Sequence, residues 1–234
     1  MSLDRVSIES VADDQQVAAA VDALVAAFAA DPGWSALLPD MRTRRSALAA
    51  ALSGLVADGA RRDSLLVARV DGGVVGVAVA WRPGYHPSPL RTPRYVVAAA
   101  TMLSAARLAT VPLWRRMQAL RAADPRAEPH WHLAVLGVRP DAQHRGVGRA
   151  LLEAFLARVD NAGGVAYLET SRPELVAWYG GVDFGVRQWL TLPGGASAWT
   201  MWRSTNSARP KADPHRSPDE EVADRQPDGE RDRR

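Results

Sequence analysis

The chain has no cysteine among its 234 residues. That excludes disulfides, thiolate catalysis and the common cysteine-bound structural zinc sites. Its first ten residues, MSLDRVSIES, have no apolar segment behind a basic one, so they do not read as a secretory signal, and a cytoplasmic location is the expectation. No uninterrupted apolar run reaches membrane-spanning length. The longest candidate, residues 95–114, carries Arg107 near its middle and Pro112 near its end, and reads as helices packed by their apolar faces. No segment recurs at a fixed period.

Residues 204–234 lack Leu, Ile, Phe, Trp, Tyr and Met altogether, so they cannot bury enough apolar surface to offset the entropy of ordering them. They read as a disordered charged tail behind one folded domain over residues 1–203. The tail's seven Lys/Arg and eight Asp/Glu nearly cancel, so the formal charge of +3 belongs to the domain and describes no basic arm for nucleic acid.

What is present has a clear order. Residues 5–10 alternate as a strand; residues 13–32 show acids first, apolar residues at helical spacing (Val17, Val21, Leu24, Val25, Phe28) and a closing proline; a second helix covers Arg42 to Gly59. Two apolar runs around Asp71-Gly72-Gly73 predict a hairpin. Residues 82–129 form a helical insertion with eight arginines against Asp124 and Glu128, read as solvated arginine faces, with a patch for an anionic partner as the alternative.

The remainder predicts a strand over 130–138, a helix opening near Gly146 with Leu151, Leu152, Phe155, Leu156 and Val159 on one face, a strand over 165–171, a short helix over 172–181 and a final hairpin around Pro193-Gly194-Gly195. A strand, crossover helix and strand make a parallel pair. The fold class expected is α+β: a mixed, mostly antiparallel sheet with one parallel β-α-β unit and helices on both faces.

The stretch RPDAQHRGVGRALLEAFLARV, residues 139–159, places Gly146 and Gly148 with His144, Arg145 and Arg149 at a helix start. Unpaired N–H groups and the positive end of the peptide dipole favour an anion there, and glycine lets a phosphate approach the backbone. A P-loop fails because Arg149-Ala150 follows Gly148, and a dinucleotide fingerprint fails because Leu151 stands where its third glycine belongs. What remains is Gln/Arg-x-x-Gly-x-Gly/Ala, met by Gln143 to Gly148.

With AVLGVRPDAQHRGVGRALL, VAYLETS and WYGGVDF, the chain resembles the GCN5-related N-acetyltransferase (GNAT) superfamily over residues 130–203, most like the branch that includes puromycin N-acetyltransferase. The resemblance implies an acetyl-CoA-dependent N-acetyltransferase acting on a primary amine, with acetyl-CoA as co-substrate and no metal. It implies that backbone groups of Leu136, Gly137 and Val138 pair with the pantetheine arm, and that N–H groups of His144, Arg145, Gly146, Val147, Gly148 and Arg149 hold the diphosphate, with Gln143 shaping the turn. It makes Tyr179 the acid that protonates the departing thiolate, although a core aromatic is the alternative. Leu175 stands where close relatives have asparagine, and Asp183 replaces a glycine before Phe184, which suggests an altered turn after Tyr179.

The base is left between two candidates. His132 lies on the strand beside the cofactor, or is only a core or edge residue; Glu169 ends the next strand, or only caps the short helix. Trp34, Trp81, Tyr85 and Trp114 would line an aromatic acceptor pocket, or belong to the core. A small-molecule amine is the first choice of acceptor, a protein amino terminus or lysine the second. A non-catalytic acetyl-CoA-binding regulatory module is the rival; membrane and nucleic-acid partners are not expected, and monomer or homodimer is left open.

Overall fold

The computed structural model describes residues 6–10, 14–31, 34–35, 38–87, 110–192 and 195–204. Most of the expected tail and residues 88–109 of the insertion, with most of the 95–114 stretch, lie outside them, as does the side chain of Trp114. No described helix is long and apolar enough to cross a membrane.

The elements run β1 (Val6–Ser10), α1 (Asp14–Phe28), α2 (Met41–Arg61), β2 (Leu65–Val70), β3 (Gly73–Trp81), α3 (Thr110–Ala123), β4 (Trp131–Val138), α4 (Val147–Asn161), β5 (Ala166–Thr170), α5 (Pro173–Gly180), β6 (Gly185–Thr191) and β7 (Ser197–Arg203). Seven strands form one sheet in the order β1-β2-β3-β4-β5-β7-β6. Only β4 and β5 pair in parallel; every other neighbouring pair is antiparallel. The expected fold class is what the chain adopts.

Local chemistry accounts for several boundaries. The two-residue turn between β2 and β3 puts Asp71 at φ 50° and Gly72 at φ 81°, the left-handed pair that matches strand twist and that glycine and aspartate tolerate. Asp40 caps α2 by accepting from the Thr43 N–H at 2.8 Å. The chain between α1 and α2 is tied down by the buried guanidinium of Arg44, which donates to the carbonyls of Leu38 (2.8 Å), Ala29 (2.6 Å) and Pro39 (2.8 Å) and to the Ser35 hydroxyl.

Helices cover both faces, and strand alternation divides the core between them. Leu65, Val67, Val77, Val79 and Trp81 pack on α1 and α2. Leu66, Ala68, Ala78, Ala80, Leu133, Ala166 and Leu168 pack on α4 and α5. Trp81 is 1% exposed and Tyr85 meets its ring edge-on at 5.3 Å, so Trp81 belongs to the core, and Trp34 and Tyr85 pack against that same cluster.

The central strand β4 carries an irregularity. β3 pairs Val79 with Val135 but Ala80 with Leu133, which leaves Ala134 as an extra residue in β4. A bulge of one residue reverses the side-chain parity of everything beyond it. Trp131 and Leu133 therefore face α4 before the bulge, Ala134 and Val135 face α1, and Leu136 and Val138 face α4 after it.

Two glycines let helices approach the sheet closely. A Cβ on Gly76 would lie 2.9 Å from Leu151 Cδ1, and one on Gly137 would lie 2.8 Å from Leu24 Cδ2 and 3.2 Å from both Ala27 Cβ and Phe28 Cε2. Gly137→Ala is therefore expected to lower stability by about 1–3 kcal/mol through overpacking against α1, read as a lower urea midpoint; an unchanged midpoint would show that α1 can give way.

Candidate active site

Pairing between β4 and β5 spans only Trp131–Ala166, His132–Tyr167 and Leu133–Leu168. Beyond that point β4 continues with β3 as far as Val138 opposite Gly76, while β5 continues with β7 as far as Thr170 opposite Trp199. The two strands part, and among the described residues, 134–138 have no strand partner on that edge. Arg139 N–H donates to the Val75 carbonyl at 2.8 Å, so by antiparallel alternation residues 135 and 137 also turn their backbone groups to β3. Leu136 and Val138 turn theirs into the gap. The Val138 carbonyl accepts from Gln143 Nε2 at 2.9 Å, so Gln143 closes the wide end of the gap and shapes the turn there.

The turn then delivers the start of α4. His144 (φ 59°) and Gly146 (φ 81°) are left-handed, and Gly146 caps the helix with no side-chain hydrogen bond. The first helical bond is Ala150 N–H to the Gly146 carbonyl at 2.9 Å, so the N–H groups of Val147, Gly148 and Arg149 have no partner within the helix. Val147 is buried and anchors the helix start, whereas His144, Arg145, Gly146 and Arg149 are exposed. Arg149 also pairs with Glu153 at 2.6 Å on the surface.

Gly148 differs from Gly137 in what its bareness serves. A Cβ there would sit 3.5 Å from Val138 Cγ2 and 3.9 Å from Leu136 Cδ2 and Trp178 Cζ2, all ordinary contacts. Packing does not require a glycine at this position. An open backbone surface with unpaired N–H groups fits a diphosphate, and the unpaired edge of β4 fits an extended amide-bearing arm laid along it.

At the narrow end of the gap, His132 and Glu169 meet. His132 is opposite Tyr167 in the parallel register, and Glu169, two residues on, shares that face. His132 Nε2 donates to Glu169 Oε2 at 2.8 Å. The carboxylate can only accept, so Nε2 carries hydrogen and Nδ1 is the atom left to take a proton. Burial works against the charged imidazole, but the Glu169 charge and hydrogen bond outweigh it and hold His132 above its ordinary value. Glu169 does not cap α5: Arg172 N–H bonds to the Thr170 hydroxyl at 3.2 Å instead.

Tyr179 is on the opposite face of the sheet, in the cluster beneath α4, with Trp178 at 4.8 Å and Phe184 at 5.8 Å between ring centroids. Burial alone pushes its phenol up to about 12. Asp183 takes a left-handed conformation (φ 69°), one that glycine adopts freely, and the turn closes through Val182 N–H to the Tyr179 carbonyl at 3.0 Å.

Several residues around His132 were not singled out by sequence. His130 and Tyr167 lie on the same face, each about one ring from it: the Tyr167 ring is 5.2 Å from both histidine rings. Asp124, behind α3, lies 3.3 Å from His130 Nε2. The alternation in HWH and in AYLET was visible, but only the parallel register brings those two alternations together.

A family model described as "Acetyltransferase (GNAT) family" matches residues 34–179. Among solved structures, one described as histone acetyltransferase HPA2 and related acetyltransferase from Corynebacterium glutamicum is 26% identical, with TM-score 0.61 over 90% of this chain and 99% of that one. Polyamine N-acetyltransferase from Drosophila melanogaster is 14% identical, with TM-score 0.52 over 85% and 99%. The PaiA N-acetyltransferase of Thermoplasma acidophilum, in complex with coenzyme A, is 12% identical, with TM-score 0.50 over 85% and 98%.

Glu169→Gln keeps an acceptor for His132 but removes the charge that holds its proton. The His132 midpoint, followed by NMR, should fall by about one unit or more; a midpoint that stays put would show that the carboxylate charge does not govern it.

Proposed function

The chain belongs to the acetyltransferase (GNAT) family, and from that premise we propose that it transfers the acetyl group of acetyl-CoA to a neutral primary amine of a small molecule. The observation that carries the proposal is the gap between β4 and β5, with bare amides at its wide end and a histidine–carboxylate pair at its narrow end. N-acetyltransferase activity itself follows from the family. The small-molecule acceptor, the puromycin N-acetyltransferase-like branch, the single domain over 1–203 and the cytoplasmic location belong to the proposal.

Bound in the gap, acetyl-CoA supplies an activated acyl carbon and a thiolate leaving group. The chain's residues divide the remaining work by face. The N–H groups of Val147, Gly148 and Arg149, with the exposed turn from His144 to Gly146, would hold the diphosphate; Leu136 and Val138 would bond the arm. Gly137, whose backbone is turned to β3, would contribute by letting α1 close over the strand.

On the α1/α2 face, His132 Nδ1 would take the proton that an ammonium must lose before its nitrogen can attack. Glu169 holds the ring and stabilises the imidazolium that results. On the α4/α5 face, Tyr179 would present its O–H to the sulfur. A phenol raised to about 12 is fully protonated at neutral pH, so it is ready as a donor. Burial also raises the proton affinity of any thiolate beside it, which brings donor and acceptor closer in strength.

Placing proton acceptor and proton donor on opposite faces of one slit keeps incoming amine and departing thiol apart. The neighbouring folds include a histone acetyltransferase and a polyamine enzyme. The preference for a small acceptor rests on the partly buried His132–Glu169 pair, with side chains 21% and 15% exposed, which a free amine reaches more readily than a lysine on a folded protein.

Substitutions test the halves separately. Gly148→Phe should weaken acetyl-CoA binding at least tenfold in calorimetric titration, whereas Gly148→Ala, which the motif admits, should leave affinity nearly unchanged and keep or raise stability by up to about 1 kcal/mol from helix propensity; undiminished affinity in Gly148→Phe would remove the cradle. Tyr179→Phe should lower kcat by roughly a hundredfold in a CoA-release assay across an amine panel, with acetyl-CoA affinity nearly unchanged. Equal turnover would take the phenol out of the mechanism, and tight acetyl-CoA binding by the wild type without release by any amine would point to a binding module.

A further inference from the structure

Tyr167 lies on the acceptor face, and this division of labour leaves it unused. It stands opposite His132 in the β4–β5 register and is 0% exposed. Its ring is packed edge-on against His130 and His132, both at 5.2 Å, and lies 6.4 Å from Trp202. Phenylalanine would satisfy that packing equally well. The hydroxyl makes no hydrogen bond, and a buried donor without a partner is costly to retain.

Only one other buried side-chain polar atom among the described residues is unpartnered, Asp124 Oδ1. Its carboxylate already has nitrogens beside it: His130 Nε2 at 3.3 Å, Arg126 Nε at 3.4 Å and His86 Nδ1 at 3.7 Å. The charged and titratable groups around Tyr167 are His130 and His132 from β4, Glu169 from β5, Arg187 from β6, and Asp124 behind α3. Of the two carboxylates, Glu169 uses Oε2 for His132. It also lies two residues along β5 from Tyr167, on the same face of the sheet.

We propose that Tyr167 is a positioning residue of the His132–Glu169 pair: a small turn of its buried phenol brings the hydroxyl onto the Glu169 carboxylate two residues along the same face, and by sharing the carboxylate charge it limits how tightly His132 holds a proton. The assignment rests on the reading of His132 as the group that takes the amine proton. Burial first, and then the Glu169 charge, push the Tyr167 phenol far above its ordinary value, so it remains a donor throughout the working pH range. The balance has a direct consequence. His132 is useful only when Nδ1 is free, and the Glu169 charge pushes the other way, toward a protonated ring.

The sign of the effect is therefore fixed. In Tyr167→Phe the Glu169 charge falls wholly on His132, and the His132 midpoint should rise by about half to one unit. NMR titration of the imidazole in the full chain, with neither acetyl-CoA nor amine present, reads this directly. The rising limb of kcat/KM against pH should move up by the same amount, with the plateau at high pH within about twofold of wild type. In a Glu169→Gln background the same substitution should leave the His132 midpoint unmoved.

A midpoint that stays or falls in Tyr167→Phe overturns the proposal. So does a uniform loss of turnover at every pH, which is what a packing role alone produces, and so does an equal shift in the Glu169→Gln background. If the wild type acetylates no amine, the transferase mechanism fails while the NMR midpoints still decide the role of Tyr167.

Discussion

The structure turns on a parting of two strands. β4 cannot stay paired with both neighbours along its whole length: after Leu133 it keeps β3, and β5 leaves with β7. The bulge at Ala134 accompanies the separation, since an extra residue bends the strand and tightens its twist at that point. A sheet interior normally has no room for a ligand, because every backbone group is bonded to the next strand. Here a few residues of unpaired edge run through the middle of the sheet, flanked by a helix start at one end and a histidine–glutamate pair at the other.

The parting also explains why chemistry can occur on both sides of a sheet at one place. Alternation sends His132, Tyr167 and Glu169 to the face of α1 and α2, and α4 with α5 brings Tyr179 to the other. A continuous sheet would separate the two groups by a layer of backbone. The gap joins them, and the bulge decides which of Leu136, Gly137 and Val138 presents its backbone to it.

Glycine has three different meanings in this chain, and they are easily confused in one dimension. Gly146 supplies a left-handed backbone, Gly137 admits a helix, and Gly148 leaves a surface open where the fold itself would accept a methyl group. All three fall within a dozen residues around the start of α4. The motif there was legible as an anion site because helix starts and small residues have local consequences. That Gly137 serves α1 was not legible, because Leu24 and Phe28 come from more than a hundred residues earlier in the chain.

Legible in one dimension were the kinds and order of the elements, the Asp71-Gly72 turn, the helix that begins after Gly146 and the family pattern around it. These depend on periodicity, capping and φ preference, which act over a few residues. Folding in three dimensions was needed to establish that His132 and Glu169, 37 positions apart, share a hydrogen bond, that Glu169 is free of capping duty, that Trp81 is core, and that Tyr167 lies at the centre of the acceptor face. The reason is register: which residue faces which across two strands, and where a bulge reverses their parity, is set by hydrogen bonds and packing between distant segments.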